Sequence, residues 1–553
     1  MIISSKLANI ISKILLAGSA LITLVISPSI SFDPFNTSKF AICTAVSMTL
    51  LAILLTSINL KDFTKANPAL SYLLLAFLFQ SILILFASKT PITLQLFGID
   101  GRHTGFILYF NLLILLLATS IVSGIKFSKE IVKVLILVGL FNAIYGLIQF
   151  NGWDPINWNN SYSPVIGFFG NPNFQSAFIG VAASALWAFF FGSHSKLSWR
   201  ITAIIVLLLF FFIIIVTDSQ QGIIVYISGF TLSSYIALLK SRKYFKISKY
   251  YGLAIIAGIV IIVLDILQKV PWNSILYKTS VSNRGDLWRA AWRMASDNPV
   301  TGVGFDSYEY FYRTYRDSTA IVTRGGSTTS NSAHNIFLDI LSSGGFLFLA
   351  IYIVILFLVA FSAVKVFKRE TEYNPYFTAL FVAWLGYQIQ SVISINQIGI
   401  AIWGWILSGA IIGYERITSG KIEISRTNVG NSNLTTASKA TVGLVAGIII
   451  GIVPVNTDVA FKNAIDSRQI ALVQESAYKW PQSPQKMFQV AAIFRQNSLF
   501  PLSAQVAKDA VVKFPRSYEN WELLSILEGI SDLEKQNALN KMKELDPLNP
   551  NIK

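Results

Sequence analysis

Thirteen stretches of this chain are each apolar for about the thickness of a bilayer's hydrocarbon core, and short gaps separate most of them. A segment without water beside it must satisfy its own backbone N–H and C=O groups. Apolar runs of roughly 20 residues therefore form helices, not sheet or loop. The runs cover about 7–28, 39–60, 70–87, 104–123, 131–150, 173–191, 201–216, 222–239, 251–267, 335–364, 376–393, 398–412 and 440–455. The first has no small-residue cleavage pattern and is soon followed by the second, so it reads as an anchor and not a signal peptide. The 553 residues are 53% hydrophobic and only 13% charged, too apolar for a soluble chain of this length. The single cysteine, Cys43, lies inside a run, which excludes a disulfide framework or a cysteine-based metal site.

The formal charge of +16 has a pattern. With the N-terminus taken as cytoplasmic, alternate gaps hold Lys6 and Lys13, Lys61 and Lys65, Lys126 and Lys129, Lys196 and Arg200, and Lys240 to Lys249. The series continues with Lys365, Lys368 and Arg369, then Arg416, Lys421 and Arg426. Every gap of this set is basic, as cytoplasmic gaps are, and the charge meets anionic lipid rather than nucleic acid. The other face is then extracytoplasmic. It receives "GIDGRHTG" (98–105), the segment 151–174, "TDSQQG" (217–222), the long loop 268–333 and "SINQ" (394–397).

The chemistry-bearing residues fall on that outer face. His334, one of three histidines, stands where the long loop turns into an apolar helix. A helix start lowers an imidazole's pKa, and a neutral imidazole can take a proton from a hydroxyl. A lone histidine can equally be a loop hydrogen-bonder. His103 is a rival base, and His194 reads as an ordinary cytoplasmic loop residue. Arg284, Trp288 and Trp292 share one stripe of a predicted helix that Asn298-Pro299 stops, with Gly302 and Gly304 permitting a tight turn. The stripe suits the headgroup zone, and its arginine fits either lipid phosphate or a ligand. Arg102 either snorkels or binds. Two guanidiniums on one face suit a diphosphate, which each grips bidentately. In "GNPNF", Asn171 or Asn173 either caps the next helix or faces an anionic or sugar ligand. No Asp-x-Asp pair occurs in the chain, which weighs against metal-dependent transfer.

Beyond the last run, Trp480-Pro481, Phe514-Pro515 and Asp546-Pro547 recur with helical patterns between them. A period near 34 closed by proline is the tetratricopeptide pattern, whose stacked helix pairs bind partners. A plain helical hairpin domain is the other reading.

Three segments, "GNPN", "RGDLWRAAW" with "NPVTGVGFDSY", and "HNIFLDILSSGGFLFLAIYI", resemble the O-antigen ligase and O-antigen polymerase family of bacterial membrane glycosyltransferases. The resemblance covers about 70–412. It implies an inverting, metal-independent transfer that needs no cofactor. The donor would be a glycan on a polyprenyl diphosphate in the bacterial cytoplasmic membrane. The acceptor would be a hydroxyl of another glycan, a lipid or, in some members, a protein. Carried onto matching positions, Arg284 binds the donor diphosphate, His334 activates the acceptor and Asn335 lines the substrate site. Where the family often has an arginine opening the eighth span, this chain has Gln220, which brings no charge; Arg102 would compensate.

The expected fold is all-α: a polytopic bundle of about 12–13 transmembrane helices, an extracytoplasmic active-site loop and a small C-terminal helical repeat domain. The expected division is a transferase core at 1–415 with its site loop at 268–334, a cytoplasmic linker at 416–438, one more membrane helix at 439–457 and a repeat tail at 458–553. The tail offers a surface to a protein partner. Within the same chemistry the alternative is a protein O-oligosaccharyltransferase. Outside it, the alternatives are a transporter or an inactive scaffold. Ionisable residues at one surface, and not at the midplane, speak against a transporter.

Overall fold

The computed structural model describes residues 1–158, 163–192, 197–266, 269, 279–425 and 433–552. The protein is all-α and membrane-spanning. Eleven described helices are long and apolar enough to cross a bilayer. Phe106–Val122 and Pro375–Ser391, of 17 residues each, bring the helices that answer the thirteen apolar runs to a full set. Their environments differ widely. The hydrophobic window of Ile398–Thr418 is 100% buried and forms the centre of the bundle, whereas that of Phe245–Asp265 is 6% buried and faces outward. The sheet among the described residues is one parallel pair, Ile2–Ser4 with Glu423–Ser425, in the register Ile2 to Glu423.

The basic gaps meet one another at one end of the bundle. The N-terminal ammonium donates to the Lys421 carbonyl, Lys439 to the Thr56 carbonyl, and Lys240 to the Phe367 carbonyl. The polar gaps meet at the opposite end, where Asn36 donates to the Gly101 carbonyl and accepts from Gln397. Helices that alternate in direction produce this sorting.

The helix Ile336–Arg369, expected to run continuously, is broken at Gly345 (φ 74°, ψ −175°). The break exchanges hydrogen-bond partners. In an unbroken helix the Phe346 N–H would donate to the Ser342 carbonyl. Here Phe346 donates to the Pro299 carbonyl at 2.9 Å, and the Ser342 carbonyl accepts from Val303 at 2.8 Å. The Gly304 N–H adds a third bond, to the Ser343 carbonyl, at 3.1 Å. The "NPVTGVG" loop is thus stitched into the gap, and backbone groups freed by the break find new partners in protein. Side chains would not fit: a Cβ at Gly302 would lie 2.3 Å from the Ser342 carbonyl oxygen, and one at Gly345 as close to that of Pro299.

The second and last long helices pack as closely as backbones allow. Gly443, Gly447 and Gly451 of Asn433–Ser467 lie against Met48, Ala45 and Ala41 of Asn36–Ser57. This is the small-residue spacing that lets membrane helices touch. The helix continues past the apolar run into the tail, where Ile470–Tyr478, Pro484–Gln496, Phe500–Lys513, Tyr518–Ser525 and Asp532–Leu545 follow. Their apolar core takes in Phe461 and also Leu94, which comes from the short helix Ile92–Phe97 at the polar end. Lys486 adds ion pairs to Asp100 (3.2 Å) and Asp458 (3.7 Å). The tail is fastened to the polar end of the bundle.

Candidate functional site

The described part of the long loop folds as three helices. Thr279–Asp297 comes first, followed by Tyr308–Tyr315 and Ser318–Arg324. The first buries Leu287, Ala290, Ala291 and Met294, and packs on the broken helix. Of its expected stripe, Arg284 and Trp288 are half-buried. Trp292 is exposed, with its ring edge-on to Phe346 at 5.3 Å.

His334 closes the loop with a left-handed backbone, φ 52°. That conformation is uncommon for a side-chain-bearing residue and persists only where the surroundings impose it. The bonds that impose it are local. The Ala333 N–H donates to Asp339 Oδ1 at 2.7 Å, the His334 N–H to Ser332 Oγ at 3.0 Å, and Asn335 Oδ1 caps the next helix by accepting from Phe337 and Leu338. With these groups occupied, the His334 ring stands half-buried just outside the helix.

Three arginines surround that ring electrostatically. Burial first, then the charges of Arg284, Arg102 and Arg324, lower the His334 pKa to about 4. The expected direction holds, but its cause lies in burial and arginines. Arg284 donates to the Ile393 carbonyl at 2.8 Å and pairs with no carboxylate among the described residues. Its own pKa is lowered by burial and then by Arg324. Arg102 donates to the Asn331 carbonyl and lies 3.6 Å from Asp306, whose other oxygen accepts from Ile99 and Thr104. Arg324 stands 3.9 Å from Asp286, a carboxylate already taken by Arg289 and Thr323. Positive charge therefore exceeds negative around a neutral imidazole. Such a place attracts an anion and leaves a proton acceptor beside it.

The other sequence candidates take other places. Asn171 Oδ1 accepts from the Asn173 N–H at 2.8 Å, so Asn171 serves as a cap, while the Asn173 side chain is half-buried in the next turn. Gln220 opens its helix half-buried. Its neighbour Gln221 is the one that reaches inward and donates to the Ile393 carbonyl that Arg284 also uses. His103 is packed away on Phe40 and bonds Thr37 at 3.2 Å. His194 lies outside the described residues, as do residues 270–278 of the site loop. Arg324, Gln221, Asp286 and Asp306 escaped the sequence reading. Arg324 is one of several arginines in the loop, and only the Gly-Gly that follows it hints that the chain turns there. Among the described residues no three His, Cys, Asp or Glu side chains gather as metal ligands would.

Residues 173–353 match the family model described as O-antigen ligase. The matched span runs from Asn173 into the second half of the broken helix, and contains Gln220, Arg284, Arg324, His334 and Asn335. A comparison with curated proteins gives no match.

Proposed function

We propose, from the match of residues 173–353 to the O-antigen ligase family model and from the membrane-spanning fold, that this chain is a multi-pass membrane glycosyltransferase of that type, and that its site performs the following reaction. The donor is a glycan on a polyprenyl diphosphate at the extracytoplasmic face of the bacterial cytoplasmic membrane. The acceptor is a hydroxyl of a glycan, a lipid or a protein. Arg284, Arg324 and Arg102 hold the diphosphate and stabilise the charge that grows on it as the glycosidic C–O bond breaks. His334 accepts the hydroxyl proton as the acceptor oxygen attacks the anomeric carbon from the opposite side, inverting it. The lipid diphosphate departs with the bond electrons. A diphosphate is already a good leaving group, so the step runs without a metal or an acid catalyst. Asn335 holds the helix start in place, and Gln221, not Gln220, is the amide that meets Arg284's anchor point.

One observation supports this reading above the others: burial and the charges of three guanidiniums, of which Arg284 pairs with no carboxylate among the described residues, hold the His334 imidazole neutral. We read the tail as tetratricopeptide-like, and its packing on the polar end of the bundle supports a role beside the acceptor's approach. His334→Ala tests the assignment. Transfer should fall about 100- to 10,000-fold, the usual worth of general-base help, in protein that still inserts. Lipid-linked glycan should then accumulate in cells. A change of only about fivefold, the worth of one hydrogen bond of roughly 1 kcal/mol, would leave His334 a loop residue.

A further inference from the structure

Asp546 follows the last tail helix, and its residue is 1% exposed. Its carboxylate accepts from Arg316 Nη2 at 2.7 and 2.8 Å and from Arg313 Nη1 at 3.2 Å. Both arginines belong to the long loop, and further Nη–H groups of theirs hold that loop's own backbone. Arg316 donates to the carbonyls of Gly326 (2.7 Å) and Thr328 (2.9 Å), and Arg313 to that of Ser327 (3.1 Å). Glu519 lies 3.5 Å from Arg313, so two acids from the tail balance two bases from the loop. The Arg313 guanidinium also sits 4.0 Å from the Tyr518 ring centre, and Thr314 donates to the Leu545 carbonyl at 2.9 Å.

The segment so held, 325–333, joins Arg324 to His334 and contains neither helix nor strand. Three consecutive carbonyls of it, 326 to 328, are bonded by these two arginines. We propose that Asp546 is a positioning residue for transfer: by fixing Arg313 and Arg316 it sets the distance between the phosphate-binding Arg324 and the base His334. This rests on the reading of Arg324 and His334 given above. The physical cause is the burial of the pair. With its carboxylate gone, a buried guanidinium is left uncompensated and turns toward water, releasing the carbonyls it held. A displacement of about 1 Å between reacting groups is enough to cost roughly 100-fold in rate.

Hydrogen exchange on the full-length protein in lipid nanodiscs reads the clamp without reference to the reaction. In Asp546→Asn, exchange at 325–333 should quicken tenfold or more while the tail helices Pro484–Gln496 and Phe500–Lys513 keep their protection. Arg316→Lys should loosen the same segment with Asp546 still charged and paired, which covers the case of an Asp546 variant that does not fold. Asp546→Glu, which keeps the carboxylate, should restore much of the protection. Unchanged exchange in both Asp546→Asn and Arg316→Lys overturns the clamp. With polyprenyl-diphosphate glycan extracted from the host membrane as donor, kcat should fall about 100-fold and donor KM should rise. Mere loss of folded protein would leave KM unchanged. Loosened exchange with kcat and KM both intact overturns the positioning role. If Arg324→Ala and His334→Ala transfer normally, the proposed site fails, and the exchange result still judges the clamp.

Discussion

At the residue scale, His334, the base of the proposed reaction, owes its neutral ring to its neighbours. Burial and three arginine charges favour the neutral ring, so in the free protein it accepts protons at any pH above about 4. The same physics fixes how rate responds to pH. A bound diphosphate offsets the arginine charges, and the ring's pKa then climbs back toward its ordinary value. Thus kcat/KM, which reports the free protein, should decline only as pH falls through about 4. The acid limb of kcat, which reports the donor complex, should lie at higher pH, and both limbs should vanish in His334→Ala. Coincident limbs near the unperturbed value of about 6.5 would contradict this account. Arg284→Lys keeps a charge but loses the planar fork. Transfer should fall tenfold or more, a charged hydrogen bond being worth about 1.5–3 kcal/mol; wild-type turnover would reduce Arg284 to a surface residue. His334, Arg284 and Arg102 were legible because rare or charged residues stand out in an apolar chain. Arg324 and Gln221 were not. Choosing among several loop arginines, or between adjacent glutamines, depends on helix phase and loop course that spacing does not determine.

At the scale of elements, the interrupted helix Ile336–Arg369 matters most, because it joins the His334 loop to the membrane. Gly345→Ala should destabilise the protein by about 1–3 kcal/mol, the usual size of a strained backbone, since its Cβ would also strike the Pro299 carbonyl. Gly258 is a control: it lies in an exposed helix with nothing within 4 Å, and Gly258→Ala should be neutral or mildly stabilising. Thermal unfolding in detergent separates the two, and equal melting temperatures would mean that the stitched loop contributes no stability. The helices themselves were readable from hydropathy, since the bilayer allows little else. Their ends were less so. Asn433–Ser467 outruns its apolar stretch, because the tail covers its continuation. The break at Gly345 was hidden for a related reason: serine and glycine fit a membrane helix, and only a loop from elsewhere in the chain supplies the replacement bonds.

For the whole molecule, the sorting of basic gaps to one end and polar gaps to the other argues for a site outside the cytoplasm. In a Cys43→Ala background, cysteine in place of the exposed Ser327 should react with an impermeant thiol reagent on spheroplasts, and cysteine in place of Lys243 should not. Labelling at Lys243 alone would invert the protein and separate the site from an extracytoplasmic donor. Charge periodicity made this sorting legible in advance, but it gave no sign that the tail is joined to the candidate-site loop, since Asp546 and Arg316 lie 230 residues apart. The pairing of the first residues with 423–425, and of the second helix with the glycine seam of the last, bears on how the protein is made. Bonds near the N-terminus wait for partners about 420 residues downstream. At about 5–20 residues per second a ribosome takes roughly 20–80 s to supply them. During that interval the early helices reside in the bilayer with one flank open to lipid or to a neighbouring chain. A nascent protein halted before Gly443 would stay in that state, a natural substrate for membrane quality control.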